Sequence, residues 1–335
     1  MMRQLIYRSA FIITILAILQ SCERIIEVPI AGEASGAIIR VGTPSRSGQT
    51  ATFTIDVHVV DGAGNYASGL GAQNFTMMED TTGRKYSLSF RLLDIKGGNR
   101  TPVKGDYNAF LLLDQSGSTD DTDPDNLRIR SSQIFLESMG NNDKVALGSF
   151  TTGQLYPSLS GNVHLHGGFN AKGTTFYPAL DSLKNTILKG NTPLFTSTAW
   201  AINYTAANAK AQNKVVILFT DGQNNGGSSQ SAVESLSLQK KVPVYTVGLS
   251  TDVGFDVLNN MALNTGGSFM WAKDAKQLIS YFGTLGNLLR GNAEYYTLTF
   301  EASAGSLPTF SKLLYLQVSL PNGKKFWMPY VIKLA

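Results

Sequence analysis

Tyr107-Asn108-Ala109-Phe110-Leu111-Leu112-Leu113-Asp114-Gln115-Ser116-Gly117-Ser118 joins an apolar run to a carboxylate and two hydroxyls. Residues 109–113 carry no polar side chain, the pattern of a strand buried on both faces of a sheet. Asp114, Ser116 and Ser118 then follow at i, i+2 and i+4, with Gly117 allowing a tight turn. Spacing of this kind in a loop aims hard oxygen atoms at one point. An apolar strand that ends in such a loop predicts an open α/β sheet, whose ligands collect beyond the carboxyl ends of the strands.

Outward from that stretch the same alternation repeats. Val145-Ala146-Leu147, Val215-Val216-Ile217-Leu218-Phe219 and residues 242–247 read as further buried strands. Leu127, Ile134, Phe135 and Met139 fall on one helical face. More helices are predicted around residues 176–188, 197–211, 230–240 and 274–289. Strands alternating with helices imply a doubly wound, mostly parallel, Rossmann-like sheet over residues 105–290. A second carboxylate, Asp221, ends one of these strands in Leu218-Phe219-Thr220-Asp221-Gly222. Gly190-Asn191-Thr192-Pro193-Leu194-Phe195 places a third hydroxyl in a loop before a helix. Mg²⁺ takes near-octahedral oxygen ligands at about 2.0–2.1 Å and keeps waters or borrows a ligand.

Asp-x-Ser-x-Ser, a Gly-x-Thr-Pro-Leu loop and a strand ending Thr-Asp-Gly, in this order, resemble the von Willebrand factor A (VWA) family. Val242-Pro243-Val244-Tyr245-Thr246-Val247-Gly248 and Thr265-Gly266-Gly267 are similar to the closing strands of that family. The resemblance implies a metal-ion-dependent adhesion site (MIDAS) with Asp114, Ser116, Ser118, Thr192 and Asp221 as its ligands. It further implies Mg²⁺, with Mn²⁺ or Ca²⁺ as substitutes, and a protein ligand whose acidic residue completes the coordination. Gly173-Thr174-Thr175-Phe176 is a rival loop. Thr192 is preferred because it carries the Thr-Pro-Leu motif and lies 29 residues before Asp221, against 47 for Thr174.

The flanks carry different signals. Arg3 and Arg8 precede a short apolar core at residues 11–19, too short for a stable bilayer span, which predicts a signal peptide over residues 1–21. Leu19-Gln20-Ser21-Cys22 resembles a bacterial lipobox, and Cys22 is the single cysteine of the 335 residues. Diacylation there is expected to tether the protein to a bacterial envelope membrane, in the first place the outer one. Residues 22–48, with Gly32, Gly36, Gly42, Pro44 and Gly48, are expected to form a flexible tether. Residues 49–104 and 291–335 alternate in β fashion, and 45 residues alone make a thin core. The two segments are therefore expected to join as an accessory β-sandwich.

Other functions find little support. The formal net charge is +4, and loss of Arg3 and Arg8 leaves 26 basic against 24 acidic residues. Without any Lys/Arg run, a nucleic-acid footprint is not expected. Asp121-x-Asp123-x-Asp125 imitates the start of an EF-hand loop but lacks its glycine and terminal glutamate, so a solvated loop or helix N-terminus is the expected role. His164 and His166 share a strand face with no thiol nearby, and are expected to be ordinary surface residues. No nucleophile elbow or Ser/His/Asp arrangement is present, and the chain is not expected to be an enzyme. The two roles left are a lipid-anchored binding protein and a structural subunit of an envelope complex whose metal only stabilises the fold.

Overall fold

The computed structural model describes residues 32–79, 88–153, 162–186, 189–250, 253–304 and 310–334. The predicted signal peptide and Cys22 lie outside the described residues. Among the described residues no helix is long and apolar enough to cross a membrane.

The central strand is β6 (Tyr107–Asp114), every residue of which is buried. Its side chains alternate between two cores, as a pleated strand requires. Ala109, Leu111 and Leu113 pack in one, Phe110 and Leu112 in the other. The first core is closed by α2 (Leu127–Glu137), α3 (Tyr177–Lys184) and α7 (Lys276–Arg290). The second is closed mainly by α4 (Leu194–Asn208), with Val233 of α5 (Gln230–Lys240) and Leu258, Met261 and Ala262 of α6 (Phe255–Thr265). A short α1 (Thr119–Thr122) follows β6 directly.

β6 pairs in parallel with β7 (Lys144–Phe150) and β9 (Asn213–Thr220). β9 continues in parallel to β10 (Val244–Leu249), and that to β11 (Phe269–Ala272). β8 (Val163–Asn170) closes the β7 side antiparallel. The strand order reverses across β6, so the ends of β6 and β9 sit at the topological switch point, where such sheets bind ligands.

The sheet does not stop at β11. β1 (Ser35–Val41) pairs antiparallel with it, and then β3 (Thr50–Val60), β12 (Glu294–Ser303) and β5 (Ser89–Arg100) extend the same sheet, with β2 (Ser45–Ser47) on the margin of β3. A separate antiparallel sheet runs β14 (Lys325–Leu334), β13 (Phe310–Ser319), β4 (Phe75–Glu79). Its inner face, with Leu314, Leu316, Val318, Met328 and Tyr330, packs on Phe53, Ile55, Val57, Leu298 and Phe300 of the extension. The accessory β-sandwich of N- and C-terminal strands thus exists, but one of its layers is the continuation of the parallel sheet.

The expected tether over residues 22–48 needs correction in its described part. Residues 35–41 form β1 inside the sheet, with Ala37 and Ile38 at 0% and 1% exposure. The glycine content misled because Gly36 serves close packing. A Cβ at Gly36 would meet the carbonyl oxygen of His58 and the Sδ of Met328, both at 2.7 Å. The missing side chain lets two layers touch; it does not supply flexibility.

Candidate functional site

Three loops leave the carboxyl ends of the sheet and meet. Asp114 closes β6, and its side chain is turned back onto its own loop: Oδ1 accepts from the Ser116 N–H at 2.9 Å, and Oδ2 accepts from the Thr220 hydroxyl at 2.6 Å. The Thr192 hydroxyl donates to Ser116 Oγ at 3.0 Å, and Ser116 Oγ lies 3.3 Å from Ser118 Oγ. Ser118 donates to Asp221 Oδ1 at 3.1 Å. All five expected ligands therefore meet in one linked group. Asp114, Ser116, Thr192 and Asp221 are buried, and Ser118 is exposed, so the group opens to solvent on the Ser118 side. Thr174 is elsewhere. It is exposed in a 3₁₀ turn, Gly173–Phe176, whose Gly173 abuts Leu136 of α2.

Loop-to-loop hydrogen bonds hold this geometry. The Gly117 N–H donates to the Gly190 carbonyl at 3.1 Å, and the Gln115 N–H to the Phe150 carbonyl at 3.0 Å. Thr192 is clamped from both sides by Asn225, whose Oδ1 accepts from the Thr192 N–H at 3.1 Å and whose N–H donates to the Thr192 carbonyl at 2.9 Å. Asn224 Oδ1 accepts from the Phe195 N–H at 3.2 Å, one of the free donors of the first turn of α4.

Several site residues were not singled out in the sequence. Thr119 and Thr122 also donate to Asp221, at 3.3 Å to Oδ1 and 2.6 Å to Oδ2. Their spacing of three residues was the available signal, since it sets two hydroxyls on one face of a helical turn. Thr220, Asn224 and Asn225 flank Asp221 in sequence, and only the fold shows which loops they bind.

The two carboxylates dominate the electrostatics. Neither forms an ion pair with a Lys or Arg side chain among the described residues. Burial, then the negative charge of Asp221, push the Asp114 carboxyl up to about 7; the bonds from Ser116 and Thr220 oppose this without cancelling it. Two buried carboxylates with neutral hydroxyls between them form an electrostatic deficit that a divalent cation would relieve. The donor set is all oxygen, which suits Mg²⁺, Mn²⁺ or Ca²⁺. Gly222 leaves room beside it: a Cβ there would lie 3.0 Å from Thr192 Oγ1 and 3.7 Å from Ser118 Oγ. The residues present fit a cation.

The acidic segment after the first motif divides. Asp120, Asp121 and Asp125 are exposed, but Asp123 is buried and pairs with the fully buried Arg128 at 2.8 Å. Asp123 also accepts from the Leu127 and Arg128 N–H groups at 2.6 and 3.0 Å, so it caps α2. Burial raises its carboxyl above the usual range against the opposing pull of Arg128. Arg128 Nη2 in turn donates to Gln115 Oε1 at 3.0 Å, which ties the pair to the Asp114 loop. On β8 the rings of His164 and His166 lie 4.6 Å apart, and His166 Nε2 is 2.8 Å from Ser149 Oγ. Among the described residues no group of three or more His, Cys, Asp or Glu side chains converges as a further metal centre.

Comparison with known proteins gives the family. No curated protein matches the chain. Proximal thread matrix protein 1 from the mussel byssus is similar at 19% identity, over 61% of this chain and 48% of that one, with a TM-score of 0.47. The chain thus spans about half the length of the mussel protein. The pilus adhesin SpaC of Lactobacillus rhamnosus GG is similar at 12% identity, over 88% of this chain and 48% of its own, with a TM-score of 0.46. A von Willebrand factor type A protein from Catenulispora acidiphila is similar at 10% identity, over 91% and 74% of the two chains, with a TM-score of 0.45. Residues 108–283, more than half of the chain, match the von Willebrand factor type A domain, and the chain belongs to that family.

Proposed function

We propose that this protein is a lipid-anchored bacterial envelope protein that binds a protein ligand through a divalent cation. The cation is held by Asp114, Ser116, Ser118, Thr192 and Asp221. Domains of the family commonly carry a divalent metal at this position. The observation that carries the reading is the pairing of two buried carboxylates, without a Lys or Arg partner among the described residues, with hydroxyls that open on one exposed edge at Ser118.

Each group has a distinct task. Asp114 and Asp221 balance the charge of the cation, and Ser116, Ser118 and Thr192 supply neutral oxygens. Asn225 and the Gly117–Gly190 bond keep the hydroxyl loops at a fixed separation. The cation would supply Lewis acidity toward a foreign carboxylate, so the ligand protein would donate an Asp or Glu on the Ser118 side. The reading is of a binding module and not of an enzyme. Mg²⁺ is the proposed ion, anchoring at Cys22 the proposed attachment, and the outer membrane the proposed location.

The test is the melting temperature of the soluble chain in EDTA and with added Mg²⁺, Mn²⁺ or Ca²⁺, beside capture of envelope proteins under the same conditions. A cation-dependent rise in melting together with cation-dependent capture is expected. Capture that persists in EDTA refutes the adhesion reading. A rise in melting with no capture favours the alternative role, an assembly subunit in which the metal only stabilises the fold.

A further inference from the structure

A groove of about 700 Å³ opens beside the metal-site loops. Gly222, Gln223 and Asn224, directly after Asp221, form one side, and Leu194 and Phe195, which follow Thr192-Pro193, extend it. The first turn of α6 contributes Phe255, Asp256 and Val257. The far side belongs to the accessory sheet, through Ser311 and Leu313 of β13 and Val331 of β14. Phe255 ties the walls together, its ring edge-on to Trp271 at 5.4 Å and to Tyr315 of β13 at 6.4 Å.

Three features define an occupant. The groove adjoins the metal site through Gly222, which lines it and where a Cβ would lie 3.0 Å from Thr192 Oγ1. Its volume lies in the range of pockets that bury most of a drug-sized ligand. Among the described residues that line it, Asp256 is the one charged side chain, and the rest are apolar or neutral. Asp120 and Asp121, exposed on α1, do not line it, so a second acidic group finds a repulsive surface there and no cation in the groove.

We infer that the groove between the VWA domain and the accessory sheet binds the residues flanking the metal-bound carboxylate of the partner: an extended, mainly apolar segment of a protein chain without a second acidic residue. This rests on the metal-site reading above and adds to it the partner's sequence character. It also gives the accessory sheet a part in recognition.

The experiment uses the full chain with Mn²⁺ and a phage library of nonapeptides with a fixed central Asp and eight randomised flanks. Peptides recovered with Mn²⁺ and released by EDTA are then titrated against wild type, Ser311→Trp and Val257→Glu. Ser311 is exposed at the rim, so a tryptophan there fills the groove without disturbing a core. Calorimetric Mn²⁺ titration and melting curves are run on each protein. The expected result is enrichment of apolar residues within four positions of the Asp, with peptide affinity reduced at least tenfold in both folded variants and Mn²⁺ affinity within twofold of wild type. Peptides without flanking preference, unchanged affinity in both variants, or no Mn²⁺-dependent peptides despite Mn²⁺ binding each overturn the groove and leave the metal site standing. Absence of Mn²⁺ binding to wild type overturns the metal-site reading itself, and calorimetry reports that separately.

Discussion

Replacing Asp114 by Asn should raise the melting temperature of the metal-free protein and abolish its response to metal. Its carboxyl is fully buried and stands at about 7, against an unperturbed 3.8. At 1.36 kcal/mol per unit, ionised Asp114 costs the metal-free folded state about 4 kcal/mol at pH 8 relative to the unfolded chain. A raised folded value means that the favourable contribution is complete below about pH 4 and is lost as pH rises to about 7. The Asn side chain keeps the shape. Its oxygen can accept from the Ser116 N–H and its amide can donate to Thr220 Oγ1, whose hydroxyl has the Gly222 carbonyl at 3.5 Å as an alternative acceptor. In EDTA at pH 8 the variant should therefore melt above wild type. About 4 kcal/mol, at roughly 2 °C per kcal/mol for a chain of this size, gives a difference of about 8 °C. At pH 5 the gap should fall to less than half. With cation at 100 times its dissociation constant, wild type should gain about 2.7 kcal/mol and the variant nothing. Scanning calorimetry at the two pH values, with and without Mg²⁺, reads all four states. A metal-free variant that melts at or below wild type at pH 8, or a gap that does not shrink toward pH 5, refutes the electrostatic account of the site.

Other expectations follow from particular contacts. Arg128→Met strands the buried Asp123 charge and should cost about 3–5 kcal/mol in urea unfolding, most of it recovered in the Asp123→Asn, Arg128→Met double variant. Gly222→Ala brings a methyl to 3.0 Å from Thr192 Oγ1 and should weaken Mg²⁺ binding at least tenfold by calorimetry, with unfolding free energy changed by less than about 1 kcal/mol. Gly36→Ala forces a Cβ against the His58 carbonyl and should destabilise by about 1–3 kcal/mol, whereas a flexible tether would tolerate it.

The parallel part of the fold was readable because strands buried on both faces leave runs such as residues 109–113 and 215–219, which few other structures need. The convergence of the five candidate residues was readable because their loops follow those strands and use short oxygen side chains. Thr119, Thr122, Asn224 and Asn225 were not, since a hydroxyl or amide that braces a neighbouring loop has no spacing of its own in the chain. β1 was hidden by its glycine, whose use in close packing and in flexible linkers looks the same in composition. The accessory strands alternated clearly enough to be recognised as β, but alternation marks one buried face and says nothing about which sheet a strand joins. So the continuity of β11, β1 and β3 came only from the register Ala37–Met270 and Ala37–His58.

That continuity bears on how the protein can be divided. In a chain whose last core strand ended the sheet, the segment 105–290 could be excised and would fold alone. Here removal of residues before 105 strips β1 from β11 and leaves its backbone groups bare beside an apolar surface, a template for self-association. The VWA domain and its companion layer share one hydrogen-bonded ladder, so they are expected to unfold and to exchange amide protons as a single piece.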